Sequence, residues 1–475
     1  MPDLSSALIL ITFALVYFVI IGVVIKKPEV SIYCFLLIFL FFPHHGLNYF
    51  FFTTKEVVAI TLHLAILSIA AFTICTRLTM GNIAKRKIPT KLNVFCNLFF
   101  TTYIITLLST LYYQIRGNYL GVTIAPEHLA LSAPLLFSYI LLLGCIYFIS
   151  KIEQIETIFT FIMAAGFTLL IDLILNFYLR IPLPYGYRAV HESGRFQGFL
   201  YNEQWMVGMI AFAAIGCTLY FIYSRGKYIF LGTVPLLFLP IIATYQRSNM
   251  FSAVCIVTLF LLLSTYFVKQ KSAYVVTIVV GILASILVLV GGIFLEDIVS
   301  ALQGETRPDY FLSYLDSWAS RVGAYFRGLD VIYHFFPLGV GPGSFVNEFM
   351  ASPALPIYFP VSHDWHRAST LFYKIASGRH TTGAHTFYIQ FIGEYGLMGG
   401  IIELLFIYFC FSNFLSLKRL AKKAKYKYSN SMILSASVFA ILVGVGVNSI
   451  YQHHTPYYIP IMFFYFSFLV LGKIE

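Results

Sequence analysis

The stretch from Ser320 to Gly400 opens with SRVGAYFRGLDVIYHF, tightens into PLGVGPGSF at Pro337–Phe345 and ends in GAHTFYIQFIGEYGLMGG at Gly383–Gly400. It is the one long polar interruption in a sequence otherwise built of apolar runs. Its last segment leads back into an apolar helix. We interpret the stretch as the cap of a site at a membrane surface, which the rest of the chain supports.

The apolar runs on either side predict an all-α polytopic membrane protein. Of the 475 residues, 59% are hydrophobic and 11% are charged, whereas an average soluble domain has about 25% charged residues. A helix of about 20 apolar residues crosses about 30 Å of hydrocarbon. We predict twelve or thirteen transmembrane helices in a single domain (1–475), with one large outer loop at 295–384. The predicted spans are 7–25, 29–42, 56–76, 92–112, 130–150, 155–178, 202–224, 228–244, 248–268, 273–294, 385–416, 431–450 and 456–472.

The distribution of basic residues predicts the orientation of these helices. Nineteen of the 31 Lys and Arg residues fall in one set of alternating connections, and short basic loops face the cytoplasm. The loop 295–384 then lies on the outer side of the membrane and the C-terminus lies in the cytoplasm. The orientation of the N-terminus depends on whether both early spans are real.

The outer side is rich in arginine, with ten Arg against two Lys. Arginine binds phosphate and carboxylate groups through two parallel hydrogen bonds, so the bias predicts an anion site. Pairing of individual arginines with the eight acids of the outer loop is the alternative. The outer arginines are Arg116, Arg180, Arg188, Arg195, Arg247, Arg307, Arg321, Arg327, Arg367 and Arg379.

Three of these arginines stand at positions where an anion would bind. Arg195, in GRFQGFLYNEQW, precedes a span and either reaches an anionic headgroup or anchors the helix. Arg247, in ATYQRSNMFS, lies in a connection so short that it stays at the lipid–water boundary or below it. A cation is costly there without a partner, and either a bound anion or a carboxylate of another helix (Asp172 or Glu403) would supply one. Arg321 lies on a predicted surface helix, which is alternatively only a solvated or membrane-surface element.

Two further features could contribute to a site. Gly339, Gly341 and Gly343 allow tight turns and expose backbone N–H groups, so they form either an anion-binding nest or only a turn. His385 precedes an apolar helix that carries Glu394, and it either takes a proton from an attacking hydroxyl or caps the helix. The spacing of HDWH does not favour a metal site because no third ligand is nearby.

The order of these segments resembles the O-antigen ligase and O-antigen polymerase family of bacterial inner-membrane enzymes. The resemblance covers about 194–405 and is carried by RFQGFLYNEQ, QRSNMF, SR before PLGVGPGSF, and HTFYIQFIGEYGLMG. The family has Asn after the loop histidine, whereas Thr386 follows His385 here. This departure weakens any role of the Asn side chain and leaves the histidine intact.

The resemblance implies a GT-C-like glycosyltransferase that moves a glycan from undecaprenyl diphosphate, on the periplasmic face, without metal or other cofactor. The implied acceptor is a glycan (polymerase) or lipid A core (ligase), with a protein hydroxyl as an alternative. The implied partners include membrane lipids and a chain-length regulator, and no nucleic acid. In this reading His385, Arg321 and Arg247 are catalytic. The donor diphosphate or substrate is bound by Arg195, Arg247, Arg321, Arg327, Arg379, Gly341 and Glu394.

A transporter of lipid-linked oligosaccharide, or flippase, is the second hypothesis. It predicts helices broken by Gly or Pro near the middle of the membrane and inverted repeats. It does not require a long outer loop that carries His and Arg.

Overall fold

The computed structural model describes the chain in separate stretches. These are 152–181, 204–244, 246–268, 328–341, 387–423 and 430–451, together with single positions within 15–36 and 97–112 and at 196, 198, 325 and 345.

Every regular element in the described stretches is helical, as the sequence predicts. A π-helical stretch (Leu173–Tyr178) continues the α-helix Ile152–Asp172, and a 3-10 stretch (Tyr228–Thr233) precedes the α-helix Val234–Ala243. The α-helices are α1 (Ile152–Asp172), α2 (Gln204–Ser224), α3 (Val234–Ala243), α4 (Arg247–Val268), α5 (Phe387–Lys423) and α6 (Asn430–Tyr451).

These helices confirm six of the predicted apolar segments as helices. Two of them are long and apolar enough to cross a membrane, namely Glu153–Tyr178 with a mean hydropathy of 2.3 and Val207–Ser224 with 1.8. Shorter apolar helices cover Phe230–Ala243, Ser248–Ser264 and Met432–Asn448. The predicted spans at 56–76, 130–150, 273–294 and 456–472 lie outside the described residues. The total of twelve or thirteen spans therefore stays a prediction.

Helix α2 is the central helix of the described bundle. It packs against α1, α3, α4 and α6, and its residues from Val207 to Tyr220 are all buried. An apolar surface on all sides is what the sequence of a central or membrane-spanning helix requires.

Glycines bring the helices of the bundle unusually close together. A Cβ atom built on Gly166 of α1 would lie 2.3 Å from the Cβ of Ala214 in α2. A Cβ on Gly216 of α2 or on Gly444 of α6 would lie 2.4 Å from an isoleucine side chain. Small residues at helix crossings are typical of membrane helices, where close van der Waals packing drives association.

Candidate functional site

The start of α4, the start of α5 and the end of α6 meet at one end of the bundle, which we call the upper end. The side-chain amide of Asn448 in α6 donates a hydrogen bond of 2.6 Å to Asn249 Oδ1 in α4. The hydroxyl of Tyr388 in α5 donates to the carbonyl of Gly446 in α6 over 2.9 Å. Asn249 and Asn448 are both fully buried. The upper end is therefore fixed by polar bonds inside an apolar bundle.

The connection between α1 and α2 reaches the same upper end. The backbone N–H of Phe196 donates to the carbonyl of Ala243, the last residue of α3, over 2.9 Å. Gly198 follows with a φ of +65°, and a Cβ built on it would lie 3.5 Å from Asp172 Oδ2 at the end of α1. Phe196 directly follows Arg195 in the sequence.

Arg247 is the first residue of α4, and the residues around it are held firmly. The carbonyl of Gln246 accepts the backbone N–H groups of Asn249 (3.1 Å) and Met250 (3.3 Å), which closes the first turn of the helix. The side-chain amide of Asn249 also donates to Gln246 Oε1 over 2.9 Å. A Cβ on Gly208 of α2 would lie only 1.9 Å from Asn249 Nδ2. These contacts fix the position of the Arg247 backbone relative to α2 and α6.

The two carboxylates considered as partners of Arg247, Asp172 and Glu403, are both buried. Glu403 is buried on α5, seven residues beyond Gly396, where the backbone of α5 leaves the helical conformation. Asp172 lies at the upper end, where it is buried and accepts a hydrogen bond from the side-chain amide of Asn176.

The glycine run packs into a break in α5. At Gly396 the backbone leaves the helical conformation, with φ 60° and ψ −143°. The N–H groups of Val340 and Gly341 donate to the carbonyls of Gly393 (2.9 Å) and Glu394 (3.0 Å). The N–H of Leu397 donates to the carbonyl of Pro337 over 2.8 Å. The loop thus supplies partners for backbone groups that the broken helix does not satisfy.

Glycine is required on both sides of this contact. Gly339 has a φ of +78°, and a Cβ on it would lie 2.5 Å from the carbonyl oxygen of Glu394. A Cβ on Gly396 would lie 2.1 Å from the carbonyl oxygen of Pro337. The N–H of Gly341 is used in this packing. The turn interpretation accounts for the backbone hydrogen bond that Gly341 donates to Glu394. A contact of Gly341 with substrate stays a prediction.

Glu394 points into the bundle rather than to solvent. It is 2% exposed, and its Oε1 accepts a hydrogen bond from Gln390 Nε2 one turn earlier, over 3.1 Å. Gln390 Oε1 is buried and has no hydrogen-bond partner among the described residues. The pair gives the upper half of α5 a polar face within the bundle.

The described residues include three of the predicted site residues, Arg247, Gly341 and Glu394. Of these, Arg247 is described as a backbone position. The remaining predicted site residues lie outside the described stretches, namely Arg195, Arg321, Arg327, Arg379 and His385. The structure adds Asn448 and Tyr388, which no sequence motif indicates. Nothing in an apolar run distinguishes an asparagine that bridges two helices from one that faces another direction.

No protein-family model matches the chain, and no curated protein matches it. Among the described residues, no group of three or more His, Cys, Asp or Glu side chains could hold a metal ion. The HDWH segment at 363–366 lies outside those residues.

We expect Asn249 and Asn448 to be coupled in stability. Asn448→Ala leaves the buried Asn249 Oδ1 without this donor, and an unsatisfied buried polar group costs about 1–3 kcal/mol. Interhelical hydrogen bonds in membrane proteins contribute about 0.6–2 kcal/mol. A double-mutant cycle with Asn249→Ala, measured by unfolding in detergent, should give a coupling energy of about 0.6–2 kcal/mol. Strictly additive losses would contradict the bridge.

Proposed function

We propose that this protein is a polytopic membrane glycosyltransferase that transfers a glycan from undecaprenyl diphosphate to a hydroxyl acceptor on the outer face. The acceptor is the growing glycan of a second carrier or lipid A core, so the reaction is that of an O-antigen polymerase or ligase. In this proposal the protein lies in the bacterial inner membrane, with its site facing the periplasm and its C-terminus in the cytoplasm. The glycan transfer and the bacterial inner membrane depend on the resemblance, whereas the orientation depends on the distribution of basic residues.

One observation carries the proposal most strongly. Segments that are far apart in the sequence and that each adjoin a predicted site residue reach the same upper end of the bundle. Phe196 follows Arg195, α4 begins with Arg247, and α5 begins two residues after His385. The bonds Phe196–Ala243, Asn249–Asn448 and Tyr388–Gly446 tie these segments together. A shared cavity with guanidinium groups beside an imidazole is what the reaction needs.

The chemistry of such a transfer suits these side chains. A lipid diphosphate is a good leaving group, so it requires neutralisation of the developing charge more than protonation. Guanidinium groups at the lipid–water boundary supply this, because a low dielectric strengthens the pairing. The acceptor oxygen attacks the anomeric carbon of the donor sugar, and the bond from that carbon to the diphosphate oxygen breaks. The proton of the acceptor hydroxyl passes to His385.

The break in α5 at a glycine is a feature that the transporter hypothesis predicts. Transporters of several folds place glycine-broken helices at their substrate sites, and α5 is broken at Gly396. The 22 residues from Leu397 to Lys418 extend about 31 Å from first to last, at a rise of about 1.5 Å per residue. If Lys418 marks the cytoplasmic boundary, the break lies at the opposite edge of the hydrocarbon and not at its middle. This position favours a site open to the outer surface.

A turnover assay with purified protein tests the proposal. The detergent-solubilised chain is mixed with a carrier-linked oligosaccharide, and either a second portion of it or lipid A core is added as acceptor. We expect an elongated or ligated glycan together with an equal amount of free undecaprenyl diphosphate, with no membrane gradient present. Mass spectrometry measures both products.

The outcomes separate the hypotheses. Elongation without lipid A core identifies a polymerase, and product only with lipid A core identifies a ligase. Binding of the donor without free undecaprenyl diphosphate for any acceptor, combined with movement of the donor across vesicles, would replace the transferase proposal by a transporter.

A further inference from the structure

The helical stretch at 328–335, which precedes the glycine run, has two apolar faces. Val331 and Phe335 are buried in a small core with Val340 and Phe345. On the opposite face Leu329 is 50% exposed and Tyr333 is 80% exposed. At about 100° per residue the buried pair and the exposed pair lie on opposite sides of the helix.

The third side of this helix is polar. Asp330 and His334 lie one turn apart, and His334 Nδ1 is 3.4 Å from Asp330 Oδ1. Both side chains are about one fifth exposed, at 21% and 23%. The polar side therefore stands between the buried face and the exposed apolar face. A helix of this pattern suits a boundary where hydrocarbon is beside it and water or headgroups are above it.

The exposed apolar face continues from this helix onto α5. Phe336 and Leu338 are 57% and 40% exposed, and Leu397, 48% exposed, is joined to this turn by its N–H bond to Pro337. Below Leu397 the exposed side of α5 remains apolar as far as the described residues extend. The exposed side chains there are Leu404, Ile407, Tyr408, Phe411 and Leu415.

The length of α5 beyond its break is that of a helix that crosses a membrane. The basic residues of α5 begin at Lys418, about 31 Å below Leu397 by the helical rise, and the hydrocarbon is about 30 Å thick. The part of α5 from Leu397 to Lys418 is thus as long as the hydrocarbon is thick, and the helix at 328–335 adjoins its Leu397 end through the bond to Pro337.

We propose that the segment 328–338 is seated in the outer leaflet and that its exposed apolar face is covered by acyl chains of the bilayer lipids. Part of the predicted outer loop is then a membrane-interface element, pinned to α5 through the glycine run. The apolar face needs a nonaqueous neighbour, and its continuity with the stripe of α5 identifies lipid as that neighbour. This inference does not depend on the glycosyltransferase proposal.

Site-directed spin labelling of the full chain in lipid vesicles tests this seating. Single cysteines are introduced by Tyr333→Cys, Phe336→Cys and Asp330→Cys in a chain whose seven cysteines are replaced by alanine. Leu404→Cys on the exposed side of α5 and Lys227→Cys in an exposed turn are the lipid and water references. Power saturation measures accessibility to oxygen, which concentrates in lipid, and to a water-soluble nickel chelate.

We expect the oxygen-to-nickel ratio at 333 and 336 to match that at 404 and to exceed that at 330, which should approach the value at 227. A ratio at 333 equal to that at 227 would place the face in water. Exclusion of both reagents at 333 would mean that protein covers the face, from a second copy or another part of the chain. Either result overturns the proposal.

A second measurement avoids removal of the native cysteines. Tyr333→Trp adds one indole to the unmodified chain, and the additional fluorescence should be quenched by lipids brominated near the headgroup end of their acyl chains. Quenching no stronger than with unbrominated lipid would also overturn the proposal.

Discussion

Replacement of Arg247 by alanine is expected to lower glycan transfer by about 100-fold or more, the loss typical when a preorganised group that stabilises developing charge is removed. Arg247 begins α4, where Gln246, Asn249 and Gly208 fix the backbone. A helix start held in this way presents its first residue to the upper end with little freedom. Transfer rates with saturating acceptor and varied donor measure the effect.

Two matched variants serve as controls for the Arg247 prediction. Arg247→Lys keeps the charge and loses the planar pair of donors, so it should recover only a small part of the activity. Arg225→Ala removes an arginine at the other end of α2, whose guanidinium carbon lies 5.0 Å from the centre of the Phe221 ring, and should transfer glycan normally. Arg247→Ala with normal transfer, or Arg225→Ala with an equal loss, would remove Arg247 from the site.

The helices were predictable because each is a long apolar run, and the runs around α1, α2, α4, α5 and α6 end within a few residues of the predicted bounds except at the end of α5. That helix continues to Lys423, where the sequence prediction stopped at 416. The basic residues there are compatible with a helix that extends into water, so hydropathy alone placed its end too early. An apolar pattern indicates which residues are suited to burial away from water, but it does not indicate where the backbone hydrogen bonds of a helix end.

The polar bonds that shape the upper end could not be read from the sequence. Asn448 lies in the apolar run GVGVNSIY, and its bond to Asn249 joins residues 199 apart in the chain. QRSNMF drew attention to Arg247, but the neighbour that matters structurally is Asn249. Such pairs depend on how the helices cross, which the pattern of a single helix does not specify. The same holds for the glycine run, whose partner is the break in α5.

Gly396→Ala is expected to destabilise the protein by about 3 kcal/mol, since it combines strained backbone with a steric clash. At φ 60° and ψ −143° the backbone is in a region that essentially only glycine occupies. A Cβ there would also meet the carbonyl oxygen of Pro337 at 2.1 Å. The loop must then leave α5, which removes three backbone hydrogen bonds. Thermal unfolding followed by size-exclusion chromatography in detergent measures the loss.

Gly400→Ala is the matched control for this break. Gly400 lies four residues further along α5, and the nearest atom to a Cβ there is 4.0 Å away. Because alanine is favoured over glycine within a helix by up to about 1 kcal/mol, this variant should be as stable as the unmodified chain or more so. If α5 were instead a continuous helix through Gly396, alanine would stabilise both positions alike. A loss of stability from Gly396→Ala and a gain from Gly400→Ala would therefore support a helix that is broken at Gly396 and packed against the glycine run.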